Sequence, residues 1–243
     1  MNNKTLAYIL AILTILALVA FVVMRQVDGF SIQSFSPYRR LITTGIKNTI
    51  ILSVVSLLGS LVLGFVFYLF SISKVKYLNA ITDVFTEIIY GTPLLVLVVI
   101  TAFLIGPAFG TFNRNAMGYL ALIMYMTPYM KNVYQSAFSS ISRDQYMTMD
   151  LFGFTPYQRY RYIIISQVIR ILMPPMMNNF SLIIKGSALL NVLSYNEIYY
   201  AVRVAQSQTF AFVEGYILMW GLYLIITIPL SQLTKWIERK WAL

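Results

Sequence analysis

The chain has 243 residues, of which 59% are hydrophobic and only 11% charged, less than half the charged fraction of an ordinary soluble domain. That composition excludes a water-soluble globule, which needs a polar shell, and makes lipid the solvent. The absence of Cys and His excludes disulfides, a thiol nucleophile, an imidazole base and a Cys/His zinc site, while the net charge of +10 reads as topogenic Lys and Arg near anionic headgroups rather than as a nucleic-acid surface.

The fold class expected is all-α integral membrane, with about six transmembrane helices, since each crossing needs about 20 apolar residues. Leu6 to Met24 is the first run. It is longer than a signal-peptide core and no small-residue cleavage site follows, so it reads as a retained helix. The second run goes from Asn48 to Phe70, with Ser60 and Gly64 spaced for close helix packing. The third, Thr86 to Pro107, contains Gly91-Thr92-Pro93 and should kink there. The fourth starts at Met117 and extends toward Phe138. The fifth is expected to break at Pro174-Pro175, giving Tyr162–Met173 and Phe180–Leu193. The sixth runs from Phe210 to Leu230.

With both termini on the cytoplasmic side, the inside segments carry ten basic residues: Lys4, Lys74, Lys76, Lys131, Arg143, Arg159, Arg161, Lys235, Arg239 and Lys240. The outside segments carry Arg25, Arg39, Arg40, Lys47, Arg114 and Arg203, and the bias favours this orientation.

The most informative stretch is 141–161. Ser142-Arg143-Asp144-Gln145 has the form of a capping box, with Asp144 in the positive first turn. The helix it opens should stop at Gly153, a residue suited to a left-handed C-terminal position. Thr155-Pro156-Tyr157-Gln158 then caps a second helix, with Pro at its first position. Local chemistry allows two readings: a hairpin that merely joins two spans, or a platform for a cytoplasmic partner.

At these residues the sequence resembles the permease subunits of ABC importers for polar amino acids. Their cytoplasmic motif, Gly-Gln-x-Glu-Ala-Ala-x-x-Leu-Gly, nine residues, Ile-x-Leu-Pro-Gln, is similar to the stretch from Asp144 to Gly153 followed by Ile163-Ile164-Ile165-Ser166-Gln167. Gly45 to Ile50, Gly91-Thr92-Pro93-Leu94-Leu95, Lys185-Gly186-Ser187-Ala188-Leu189 and Glu197-Ile198 resemble further family motifs in the same order. The resemblance covers roughly residues 45–240. It implies a domain organisation of 1–44 as an added transmembrane helix with an extracytoplasmic linker, and 45–243 as a five-helix permease core with its coupling region at 141–161.

The resemblance implies a non-catalytic transport subunit in a bacterial inner or cytoplasmic membrane. Its partners would be an ATP-binding cassette ATPase dimer, a second permease copy or paralogue, and an extracytoplasmic substrate-binding protein. The cargo would be a polar amino acid or similar small polar solute, moved by alternating access. No cofactor is expected in this chain: ATP and Mg belong to the partner, in keeping with the absence of a phosphate-binding Gly-x-x-x-x-Gly-Lys-Ser/Thr loop. ATPase docking falls by resemblance on Asp144, Gln145, Met147, Asp150 and Gly153, and the translocation path on Glu87, Tyr129, Asn132, Lys185 and Ser187; no catalytic or metal residue is expected.

Several matched positions have lost charge. The motif Glu is Met147, the Arg before Gly91 is Tyr90, a Glu and an Arg are Asn132 and Gln135, and the Asp after Lys185 is Gly186. This favours a zwitterionic or neutral polar cargo. Glu87 reads either as a path residue or as a buried partner of Lys185 or Arg170. A secondary transporter or channel would suit the broken helices and Lys185 but has no need of a doubly capped elbow. An intramembrane enzyme would need convergent acid/base groups that eight scattered acids do not supply.

Overall fold

The computed structural model describes residues 3–26 and 29–241. In chain order the helices are α1 (Asn3–Gln26), a 3-10 turn (Ile32–Tyr38), α2 (Arg39–Ser71), α3 (Lys76–Gly91), and α4 (Leu94–Ile100), which runs through a π-turn (Thr101–Ile105) into α5 (Gly106–Ala108). Next come α6 (Arg114–Ser139), α7 (Arg143–Leu151) and α8 (Pro156–Gln158), which passes through a π-turn (Arg159–Ile164) into α9 (Ile165–Gly186). A 3-10 segment (Ser187–Leu193), α10 (Ile198–Thr209) and α11 (Phe212–Trp241) complete the chain. Among the described residues there is no strand: in lipid, helices satisfy every backbone group internally.

Thr5–Gln26, Ile32–Ser71 and Phe212–Lys240 are each long and apolar enough to cross a bilayer, and α3 with α4–α5 forms a pair bent by 111° that passes the same test taken together, as a broken span or a re-entrant loop. Helices α6 and α9, of 26 and 22 residues, rise about 39 and about 33 Å. They are long enough to span but carry Lys131, Asn132, Arg170 and Lys185, so apolarity alone does not mark them. The side chain of Lys4, counted among the inside charges, lies outside the described part of the chain.

The bend at Gly91-Thr92-Pro93 falls where the sequence placed it. Thr92 is extended (φ −104°, ψ 120°) and Pro93 opens α4, because a residue before proline is pushed out of the helical region. The fifth span differs from expectation. Helix α9 runs unbroken through Pro174 and Pro175, and the chain leaves the α-helical path only after Gly186, in a 3-10 segment closed by Ser194 at φ 59°. Proline's fixed φ is itself helical, so the pair is carried within α9. Lys131, counted with the inside charges, sits within α6 and is buried.

The core is organised by α2. Its buried face reads Gly45, Thr49, Leu52, Ser53, Ser56, Ser60, Gly64 and Tyr68, a helical stripe of mostly small side chains. Along it the backbone of α6 comes so close that a β-carbon on Gly64 would lie 2.5 Å from the Met130 β-carbon and 3.0 Å from the Lys131 amide nitrogen. Leu52, Val98, Leu122, Met130, Ile183 and Leu190 fill the centre. A second cluster, with Phe35, Ile42, Ile198, Val202 and Met219, joins the start of α2 to α10 and α11. A third, Ala137, Ile141, Met149, Ile164 and Val168, holds the elbow. The 18-residue apolar window of α1 buries none of its residues against the rest of the chain.

Gly64→Ala should therefore drive α2 and α6 apart and destabilise the protein by about 1–3 kcal/mol. Gly221→Ala, where an added β-carbon meets nothing within 4 Å, should be neutral or stabilise by up to about 1 kcal/mol. Melting in detergent checks both; equal midpoints for the two variants would show that the α2–α6 contact is not tight.

Candidate functional site

The elbow is built from two capped helices. The Ser142 hydroxyl accepts from the Gln145 amide at 3.3 Å; the Gln145 side chain makes no return bond among the described residues, so the first cap is one-sided. The second is a full capping box: the Thr155 amide donates to Gln158 Oε1 at 2.9 Å, and the Gln158 amide to Thr155 Oγ1 at 3.4 Å. Between them Gly153 has φ 67°, and the Phe154 amide closes the turn onto the Met149 carbonyl at 3.0 Å.

One side of α7 is rooted. Met149 is buried against Ile141, Ile164 and Val168, while Asp150 forms an ion pair with Arg159 across the turn. Arg159 also donates from Nε to the Phe154 carbonyl at 2.9 Å. The other side is bare: Met147 is 52% exposed, Leu151 88% and Phe152 76%. Asp144 and Gln145 are exposed beside them. A single turn therefore presents a stiff, apolar tip flanked by polar groups. Asp150, read from sequence as a candidate docking charge, is engaged within the elbow.

The path residues fall into separate places. Tyr129 packs on Tyr90 with ring centroids 5.2 Å apart, and Asn132 Nδ2 donates to the Tyr90 hydroxyl at 2.7 Å. These three side chains tie α6 to the end of α3. Tyr90 has no counterpart in the sequence-derived set, although its place before Gly91 signalled it. Glu87 lies on α3, exposed. Among the described residues the only ion pair is Arg159–Asp150, so of the two readings of Glu87 the buried pairing with Lys185 or Arg170 is not formed.

Lys185 is exposed on α9 and lines a groove of about 400 Å³ against α11, with Asn178, Ser181, Thr227, Ser231 and Thr234. Arg170, Asn178 and Lys185 are all exposed on the same helix, and a charged side chain held within a span costs about 2.5–3.5 kcal/mol on insertion scales. Ser187 is fully buried and donates to the Ile184 carbonyl at 2.8 Å.

At the end opposite the elbow, Glu197 is fully buried. Its carboxylate accepts from the Tyr199 and Tyr200 amides at 2.9 and 2.7 Å and from the Tyr223 hydroxyl at 2.7 Å. Thr49 Oγ1 accepts from the Ile198 amide at 3.1 Å, and Asn48 Nδ2 donates to the Asn196 carbonyl at 2.7 Å. Helix α10 is thus bolted to α2 and α11 at its first turn. Sequence reasoning noted Glu197 only as part of a motif; the signal for its role was an acid directly ahead of a helical run, where it caps the positive end.

The residues 60–243 match the model of a family described as binding-protein-dependent transport system inner membrane component. The chain belongs to this family. Among curated relatives, the probable glutamine ABC transporter permease protein GlnM of Bacillus subtilis (strain 168) is 29% identical over 196 residues, covering 81% of this chain and 91% of the relative. The glutamine transport system permease protein GlnP of Escherichia coli (strain K12) is 26% identical, covering 82% and 92%. A solved structure described as an amino acid ABC transporter with histidines shares the fold at a TM-score of 0.79, with 24% identity, 88% of this chain and 99% of that one. An inward-facing MetNI methionine ABC transporter structure matches at 0.63, with 15% identity, 83% and 98%.

Within this family fold, removing the Glu197 carboxylate leaves two amides and a phenol unpartnered in a buried site. Glu197→Ala should cost about 1–3 kcal/mol per group left unpaired, and Tyr223→Phe, which removes one hydrogen bond, about 1 kcal/mol. Hydrogen exchange over residues 198–209 should quicken in the first and barely change in the second; unchanged exchange in Glu197→Ala would remove its role as the bolt.

Proposed function

We propose that this chain is the permease subunit of an ATP-driven ABC importer for a polar amino acid or similar small polar solute, coupled to a separate ATPase through the α7 elbow. The observation that carries the reading is the elbow itself: a nine-residue helix, capped, pinned by Met149 and by the Asp150–Arg159 pair, with Met147, Leu151 and Phe152 left bare. Large apolar side chains clustered at the tip of a rigid lever, on the side that the charge bias assigns to the cytoplasm, call for a protein partner. A lever with satisfied ends transmits displacement where a loose loop would absorb it.

The polar face of α9 supports the second half of the reading. Arg170, Asn178 and Lys185 are too costly to leave against lipid and face either a water-filled path or a second permease subunit. Closure of the ATPases would draw the elbows together and tilt α9 about the π-turn that joins it to α8, exchanging access from one side to the other. ATP hydrolysis belongs to the partner subunit, and delivery of the solute to an extracytoplasmic binding protein; the amino-acid permeases among the relatives support that choice of cargo.

Two substitutions test the coupling. At Gly153 an added β-carbon meets nothing within 4 Å, but φ is 67°, so Gly153→Val is strained by about 1–3 kcal/mol through its backbone alone. It should insert normally yet lose ATPase capture in pull-down and lose transport. Gly153→Asn, which tolerates the left-handed region, should retain most of both; wild-type capture and uptake by Gly153→Val would discard the elbow as the docking site. Lys185→Ala should lower uptake in proteoliposomes while melting and basal ATPase activity of the complex stay near wild type. Uptake unchanged from wild type would remove Lys185 from the path.

A further inference from the structure

Away from the elbow and the α9–α11 groove, the end of the molecule that carries α10 holds a second set of polar side chains. Arg203 stands on the outer face of α10, opposite the buried Ile198, Ala201, Val202 and Ala205. It lines a cavity of about 370 Å³ with Asn191, Ser194, Tyr200 and Ser207. An adjoining cavity of about 550 Å³ shares Asn191 and Arg203 and continues past Tyr199 and Leu189 to Leu95 at the start of α4. The guanidinium therefore sits where two open volumes meet, beside the segment that links α9 to α10.

The charge is uncompensated. Among the described residues Arg203 is in no ion pair. The two acids nearest in sequence are committed elsewhere: the Glu197 carboxylate to two amides and Tyr223, and Glu214 Oε1 to the Ser31 amide at 3.4 Å. The Asn191 amide, the Ser194 hydroxyl and the Tyr200 hydroxyl likewise make no side-chain hydrogen bond within the described chain, so the cavity is bordered by donors and acceptors with spare capacity. The platform is fixed, because the Glu197 bolt holds the first turn of α10, and Gln206 Nε2 holds the last through the Phe212 carbonyl at 2.7 Å.

We propose that Arg203, with Asn191, Ser194 and Tyr200, forms a carboxylate-binding subsite for a small solute at the extracytoplasmic mouth. A guanidinium offers a planar fork of donors that matches a carboxylate in two parallel hydrogen bonds. The neighbouring amide and hydroxyls can complete its shell or accept from an ammonium. A volume of about 370 Å³ lies in the range of small-molecule sites, and the spare amide and hydroxyls around it suit a free solute that carries further polar groups beside its carboxylate. The subsite would hold arriving solute on the outer side, ahead of the Lys185 groove. It deepens the permease reading and rests on it for the direction of travel, not for the binding chemistry.

Phenylglyoxal modification of arginines tests it on the full chain in phosphatidylcholine nanodiscs, with the peptide carrying Arg203 quantified by mass spectrometry. L-glutamine and L-arginine serve as carboxylate probes; L-glutaminamide and L-argininamide, at equal ionic strength, lack the carboxylate. At least one free acid should slow modification of Arg203 several-fold while its amide does not, Arg25 and Arg114 should react at unchanged rates, and Asn191→Leu should weaken the protection. Equal rates with acids and amides overturn the proposal. So does protection that needs only phosphatidylglycerol in the disc, which assigns Arg203 to a lipid headgroup. ATPase capture by the same preparation separates the outcomes: unprotected Arg203 in a chain that still captures its ATPase fells the subsite alone, whereas failure of capture fells the permease reading.

Discussion

The structure depends on how closely two backbones approach in an apolar solvent. Lipid gives helices no hydrophobic reason to associate, so contact must come from packing and from polar groups with nowhere else to go. Helix α2 meets this constraint with a stripe of Gly, Ser and Thr. Gly64 lets Met130 of α6 in, and at the other end Gly45 lets α10 in, where an added β-carbon would lie 2.9 Å from both the Ala201 β-carbon and the Glu197 carbonyl oxygen. One helix thus fixes the positions of the elbow-side and mouth-side halves of the chain. The Glu197 bolt depends on that approach, since Thr49 and Asn48 reach α10 only because Gly45 has no side chain.

Against this rigid spine, the parts proposed to carry function sit on elements where the helix is interrupted. The elbow turns on a left-handed glycine, α9 follows a π-turn, and α10 is bracketed by Ser194 and Phe210, both at positive φ without being glycine. Each interruption redirects a helix while the core clusters on either side remain packed. The packed clusters are thus joined at a few well-defined points.

Much of this was legible in the sequence. Apolar runs marked the α1, α2 and α11 spans; Gly91-Thr92-Pro93 marked the bend; Ser142, Gly153 and Thr155 marked the elbow, because caps and turns are local chemistry. What stayed hidden was tertiary. The Pro174-Pro175 pair read as a break because its local cost is plain, whereas packing that carries α9 through it is not written nearby. Lys131 counts with the inside charges although the fourth run extends toward Phe138, because a charge in an apolar stretch carries no local mark of the packing that buries it in α6. Glu87 read either as a path residue or as a partner of Lys185 or Arg170 because all three are charges in apolar stretches, and only the tertiary structure leaves it exposed on α3 with no ion pair among the described residues. Arg159 and Asp150, nine positions apart across a turn, carry no periodic signal.

Where the family resemblance has an Arg and a Glu, this chain has Tyr90 and Asn132, and the two are hydrogen-bonded to each other. The contact they make is a neutral one. A bacterial membrane holds a standing voltage, and moving one elementary charge through it is worth about 2.3 kcal/mol per 100 mV. A phenol and an amide feel almost none of that force. The Tyr90–Asn132 contact between α3 and α6 therefore carries no net charge of its own on which that voltage could act, unlike Lys131 beside it and Glu87 about one turn before it.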